Sequence, residues 1–133
     1  MAKGREVHEA RVAEVNVLGK DLARRARSSC ELCEAKGVPL RIFEVTPVPT
    51  VPDPERCLML CQECREQVED ARRFRAGEHW RGLAQMVWSD LPVVQVVAVR
   101  LLRRLSPSLA WAREALESVD LDDEIEAWVG RDS

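Results

Sequence analysis

Two cysteine pairs constrain this chain more than any other feature: Cys30 and Cys33 in CELC, and Cys61 and Cys64 in CQEC, spaced C-x2-C-x27-C-x2-C. Each pair places two sulfurs on one tight turn, and the two turns together supply the four ligands that a tetrahedral thiolate site needs at ~2.3 Å per bond. Disulfides or separate redox pairs are the competing reading. The charged N-terminal residues lack the apolar run of a signal peptide, and no apolar stretch approaches a membrane span, so a cytoplasmic location with reduced thiols is expected. In that setting paired cysteines point to a metal. Iron suits the same four sulfurs, but a closed site with no adjacent redox apparatus is more often structural zinc, so one Zn2+ is the expected cofactor.

The residues between and after the knuckles describe how the site is built. VPLRIFEV reads as a strand, TPVPTVPDPE as a proline-rich loop and RCLML as the returning strand. REQVEDARRFR, with no breaker before Gly77, reads as a helix over 65–75. Knuckle, β-hairpin, knuckle and helix in that order predict a treble-clef zinc finger. The fifth thiol, Cys57, falls in the returning strand and is expected to be a core residue rather than a ligand.

Helical periodicity governs the rest. Val15, Leu18, Leu22 and Ala26 predict a helix over 6–28. Trp80, Leu83, Ala84, Val87 and Trp88 form one stripe, and SDLP then starts the next helix with a proline in its first turn. VVQVVAVRLLRRL is apolar nearly all round and is expected to be a central helix. SPSLAWAREALESV predicts another helix starting at Ser106 and Pro107, with Leu109, Ala112, Leu116 and Val119 inward; LDDEIEAWV predicts a last one carrying Leu121, Ile125, Trp128 and Val129. The expected class is therefore α+β, mainly α, in one compact domain of 133 residues. Its parts are an N-terminal helix over 1–29, a zinc-binding treble clef over 30–76 and a small helical bundle over 77–133.

The segments SSCELCEAKG, FEVTPV, LCQECREQV, HWRGLAQMVWSDLPVVQVVAVRLLRRL and LDDEIEAWV resemble the PhnA family of bacterial proteins from about residue 18 to residue 129. The resemblance implies an N-terminal zinc ribbon, with Cys30, Cys33, Cys61 and Cys64 as its ligands. The family name implies a link to alkylphosphonate use and phosphonoacetate hydrolysis, yet the matching positions nominate no catalytic group. The additional β-rich domain that commonly follows this region in longer members is expected to be missing.

An enzyme of that kind needs an open metal position or an activated nucleophile with a base beside it. Four thiolates leave no open position. His8 and His79 are the only histidines, neither has a partner implied by spacing, and His79 is expected to be a surface or satisfied side chain. The finger is also similar to HNH-type nucleases, whose catalytic histidine stands in the first hairpin strand; here Phe43 and Glu44 occupy that region, and Arg65 follows the second knuckle. The catalytic histidines are absent. Net charge is −3, with no basic stripe, so nucleic acid is not the favoured partner. Arg72, Arg73 and Arg75, and likewise Arg100, Arg103 and Arg104, are expected on solvated faces or in internal pairs rather than on phosphates. Most of Trp80, Trp88, Trp111 and Trp128 are expected in the core, and an exposed one would instead mark a partner site. The functional expectation is a zinc-binding, non-catalytic module with a protein partner, against two alternatives: a phosphonate-related hydrolase and a nucleic-acid-binding finger.

Overall fold

The computed structural model describes residues 2–131 and is mainly helical, with one two-stranded antiparallel sheet. Strands β1 (Leu40–Glu44) and β2 (Cys57–Cys61) pair in the register Leu40 to Cys61, Ile42 to Met59 and Glu44 to Cys57. Every residue of β2 is buried, because its two faces serve different partners. Leu58 and Leu60 point into the main core, whereas Cys57 and Met59 meet Leu22 and Ala26 of the N-terminal region. The core role expected for Cys57 holds.

The helix expected over 6–28 is two helices, α1 (Ala2–Asn16) and α2 (Gly19–Ala26). The break lies where Leu18 N–H turns back to the Val15 carbonyl at 3.0 Å and Gly19, a poor helix former, follows. It lets the strongly amphipathic α2 lay Leu22 and Ala26 on β2. The chain leaves α2 through two left-handed residues, Arg27 at φ 55° and Ser28 at φ 59°, whose N–H groups return to the last turn.

After β2, α3 (Gln62–Glu69) begins at once and stops six residues before the end expected at Arg75. Asp70 is the cause. Its backbone is extended, and its carboxylate accepts from the Arg72 N–H at 3.0 Å, a local turn that competes with the helix. The Trp80 stripe is likewise not one helix: a 3-10 turn over Glu78–Trp80 precedes a single turn, α4 (Leu83–Met86), with Gly82 between them. Trp80, Leu83 and Val87 are buried as expected, but Trp88 is 57% exposed and does not belong to the core.

Helix α5 (Pro92–Leu105) is the centre of the fold, started by Pro92 and buried on nearly every side. It packs against α4, α6 (Ala110–Ser118), α7 (Asp123–Gly130) and β2. Helix α6 starts later than the Ser-Pro signal implies, because Ser106 completes α5: its N–H donates to Leu102 O at 2.8 Å and its Oγ to Arg103 O at 3.0 Å. In α7 the expected acidic N-terminus is present, and Asp122 caps it by accepting from Ile125 N–H at 2.8 Å. No helix among the described residues is long and apolar enough to cross a membrane.

Candidate metal centre

The first knuckle follows the left-handed exit from α2. Cys30 N–H donates to Ala35 O and Glu34 N–H to Cys30 O, at 3.0 and 2.9 Å, and the loop closes through Glu34 at φ 64° and Gly37 at φ 71°. Leu32 plugs this turn into the core, so the knuckle is anchored apolarly as well as by hydrogen bonds. The second knuckle is the junction of β2 and α3: Cys61 ends the strand and Cys64 sits in the first turn of the helix.

The ligand atoms of Cys30, Cys33, Cys61 and Cys64 all lie within 4.8 Å of one another. A tetrahedron of sulfurs at ~2.3 Å from a central ion has edges of about 3.8 Å. The Cys33 Sγ to Cys61 Sγ distance is 3.7 Å, a ligand edge joining the two knuckles. No other group of three or more potential ligands of this kind occurs among the described residues. All five cysteines are free, and the four of the two pairs face one common point.

Four thiols at this spacing cannot all ionise on their own. The hydrogen bond from Cys64 pulls the Cys30 thiol down to about 4, while burial pushes Cys33 up to about 12. Cys64 is raised, first by that same bond to Cys30 and then by burial. A divalent cation removes the conflict by replacing the protons, so its binding releases protons and weakens on acidification. The residues present therefore fit a four-thiolate ion.

Two groups around the sulfurs are not implied by the cysteine spacing. His79 brings Nε2 to 3.2 Å from Cys64 Sγ and Nδ1 to 3.3 Å from Glu63 Oε1, with its ring edge-on to Trp80. It is satisfied, as expected, but by the Cys64 sulfur, and it ties the turn before α4 to the cysteine cluster. Glu31, inside CELC, is only 6% exposed. Arg25 grips its carboxylate with two N–H groups at 3.0 and 2.7 Å, and Met59 N–H adds a third at 2.8 Å. Arg25 also donates to Pro54 O and Cys57 O, so one buried ion pair joins α2, the first knuckle and β2. Replacing Glu31 by Gln is expected to lower stability by roughly 2–3 kcal/mol in chemical denaturation, since it leaves the Arg25 guanidinium facing a neutral partner.

Cys57 lies outside this cluster. Its thiol donates to Asp53 O at 3.3 Å, and burial, then the Glu44 charge, raises it from 9.0 to about 11. Between those two values the unfolded chain has released the proton and the folded chain has not, so the thiol's contribution is intact below 9 and disappears as pH rises through 11. Denaturation at pH 8.5 and 11, compared between wild type and Cys57→Ala, is expected to show a smaller alkaline loss in the variant.

The remaining candidates are accounted for by internal contacts. Glu44 is held by Arg11 in a two-pronged pair that also reaches Pro49 O and Thr50 O, so it is not a free base. Phe43 packs on the core and Arg65 faces a groove beneath α1. Arg100 caps the end of α7 through Trp128 O and Val129 O, Arg103 pairs with Glu126, and Arg104 lies over the Phe74 ring. Arg72 and Arg73 pair with Asp70, and Arg75 donates to Arg72 O. Trp111 lies under Arg81, and Trp128 donates to Thr46 O. Comparison of the chain with known protein families, curated proteins and solved structures found no match.

Proposed function

We propose that this chain is a structural-zinc module of the PhnA type, built on a treble-clef arrangement and acting by binding rather than catalysis, with a protein as its partner. The observation that carries the reading is the 3.7 Å sulfur edge between the two knuckles, within a set of four sulfurs no more than 4.8 Å apart. The ion would be held by Cys30, Cys33, Cys61 and Cys64, and would serve to tie α2, the hairpin and α3 together. A four-coordinate thiolate ion has no position left for water or substrate, which argues against the phosphonate-related hydrolase and leaves the nucleic-acid-binding finger to be judged on its surface.

Elemental analysis of the purified protein tests this reading. One zinc per chain is expected, lost when any of the four cysteines is replaced by serine and retained in Cys57→Ala. Chains that purify metal-free with all five thiols titratable would contradict it. Incubation with phosphonoacetate, or with plasmid and single-stranded DNA plus magnesium or manganese, is expected to give no turnover. The nuclease alternative lacks a base, because Glu44 is committed to Arg11. Cleavage that disappears in Glu44→Ala would move the chain to the enzymes.

A further inference from the structure

A groove of about 800 Å³ runs between α1 and the hairpin face, closed along one side by α3. Helix α1 buries only Val15 among its described side chains, so it stands over this space rather than packing into it. Arg11 pins it there through Glu44 and the carbonyls of Pro49 and Thr50. The walls are apolar where Val12, Val15, Ile42 and Met59 line them.

The polar side of the groove is unbalanced. Arg11 and Glu44 neutralise each other, which leaves Arg41 and Arg65 facing one further carboxylate, Glu69. Arg65 Nε is buried and has no hydrogen-bond partner, the one such side-chain atom found among the described residues. Leaving a buried donor on a charged group unpaired costs free energy, and a guanidinium edge presents parallel N–H groups that match two oxygens of a carboxylate or phosphate. The volume lies in the range of small-molecule sites, which join apolar walls to a few converging polar groups.

We propose that this groove binds a small organic oxyanion, a carboxylate or phosphate monoester on an apolar body, with Arg65 gripping the anion, Arg41 at the rim and the body against Val12, Val15, Ile42 and Met59. None of the four cysteines lines the groove, but Arg65 follows Cys64 in α3, so the groove needs the hairpin and α3 in place whatever metal the cysteines hold. It gives the module a ligand in addition to any protein partner.

The test is titration of the purified full-length chain with phenyl phosphate, benzoate and inorganic phosphate, followed by backbone amide chemical shifts. Saturable shifts confined to α1, β1, β2 around Met59 and α3 are expected with phenyl phosphate or benzoate, at least tenfold tighter than with inorganic phosphate. The better of the two organic probes identifies the head group. Arg65→Met should weaken binding at least tenfold while raising the melting temperature of the ligand-free chain, because it removes an unpaired, partly buried charge; Arg65→Lys should recover part of the affinity and Arg72→Met should bind as wild type. Three results would overturn the proposal: no saturable shifts with either organic probe, equal binding by Arg65→Met, or an Arg65→Met chain that is destabilised or unfolded. The last would mean that the guanidinium serves the fold.

Discussion

Stripping the metal with a chelator is expected to cost the chain on the order of 10 kcal/mol of folding free energy and to disorder the region from Cys30 to about residue 75. The knuckles explain the size of the effect. Between them lie ten residues of proline-rich loop that bury little, and the first knuckle and β2 meet through sulfurs, the Arg25–Glu31 pair and Leu32. Without a cation, Cys33 and Cys64 must stay protonated beside the Cys30 thiolate, so the four sulfurs lose the attraction that orders them. Helices α5, α6 and α7 pack mainly on one another and should retain part of their circular dichroism after chelation. Single replacement of any of the four cysteines should reproduce the loss, whereas Cys57→Ala should not. A chelated chain whose hairpin amides stay protected from hydrogen exchange would show that the hairpin stands without the ion.

Trp80→Ala is expected to lower stability by ~3–5 kcal/mol, the cost of emptying a fully packed aromatic site. Trp80 is 1% exposed, donates its indole N–H to Gln67 Oε1 at 2.9 Å, stacks on Phe74 at 5.9 Å and lies against the edge of His79. It is thus the contact through which α3, the metal-side histidine and the bundle meet. Trp88→Ala, on the same stretch of sequence, is expected to change stability by no more than ~0.5 kcal/mol because that ring is exposed. Denaturant titrations of the two variants separate these values clearly. Equal losses would mean that the Trp88 ring is covered in solution, most simply by a partner surface.

The difference between these two tryptophans shows where sequence reasoning held and where it stopped. The cysteine spacing identified all four sulfurs, and the strand and proline signals placed the hairpin, because those features are local. Hydrophobic periodicity found α5 for the same reason. It failed at Trp88, since α4 is a single turn that ends at Met86, and the ring lies beyond it, exposed, while Leu83 and Val87 stay in the core. The end of α3 depended on a side-chain turn at Asp70, which looks like any helical aspartate in the sequence. Glu31 was hidden by its charge: a glutamate between two cysteines reads as exposed, and only the arrival of Arg25 from α2 makes its burial affordable. His79, 15 residues beyond Cys64, reaches the sulfur from the 3-10 turn over Glu78–Trp80, outside either knuckle, so no spacing rule announces it.

Cobalt substitution reads the number of thiolates around the ion. Apo chain refolded with one equivalent of Co2+ should show the ligand-field bands of a tetrahedral ion and a sulfur-to-metal charge-transfer band with the intensity of four thiolates, both abolished stoichiometrically by Zn2+. The charge-transfer intensity should fall in each of Cys30→Ser, Cys33→Ser, Cys61→Ser and Cys64→Ser and stay unchanged in Cys57→Ala. An octahedral spectrum, or a band with the intensity of only two thiolates, would contradict a closed four-cysteine centre joining the two knuckles.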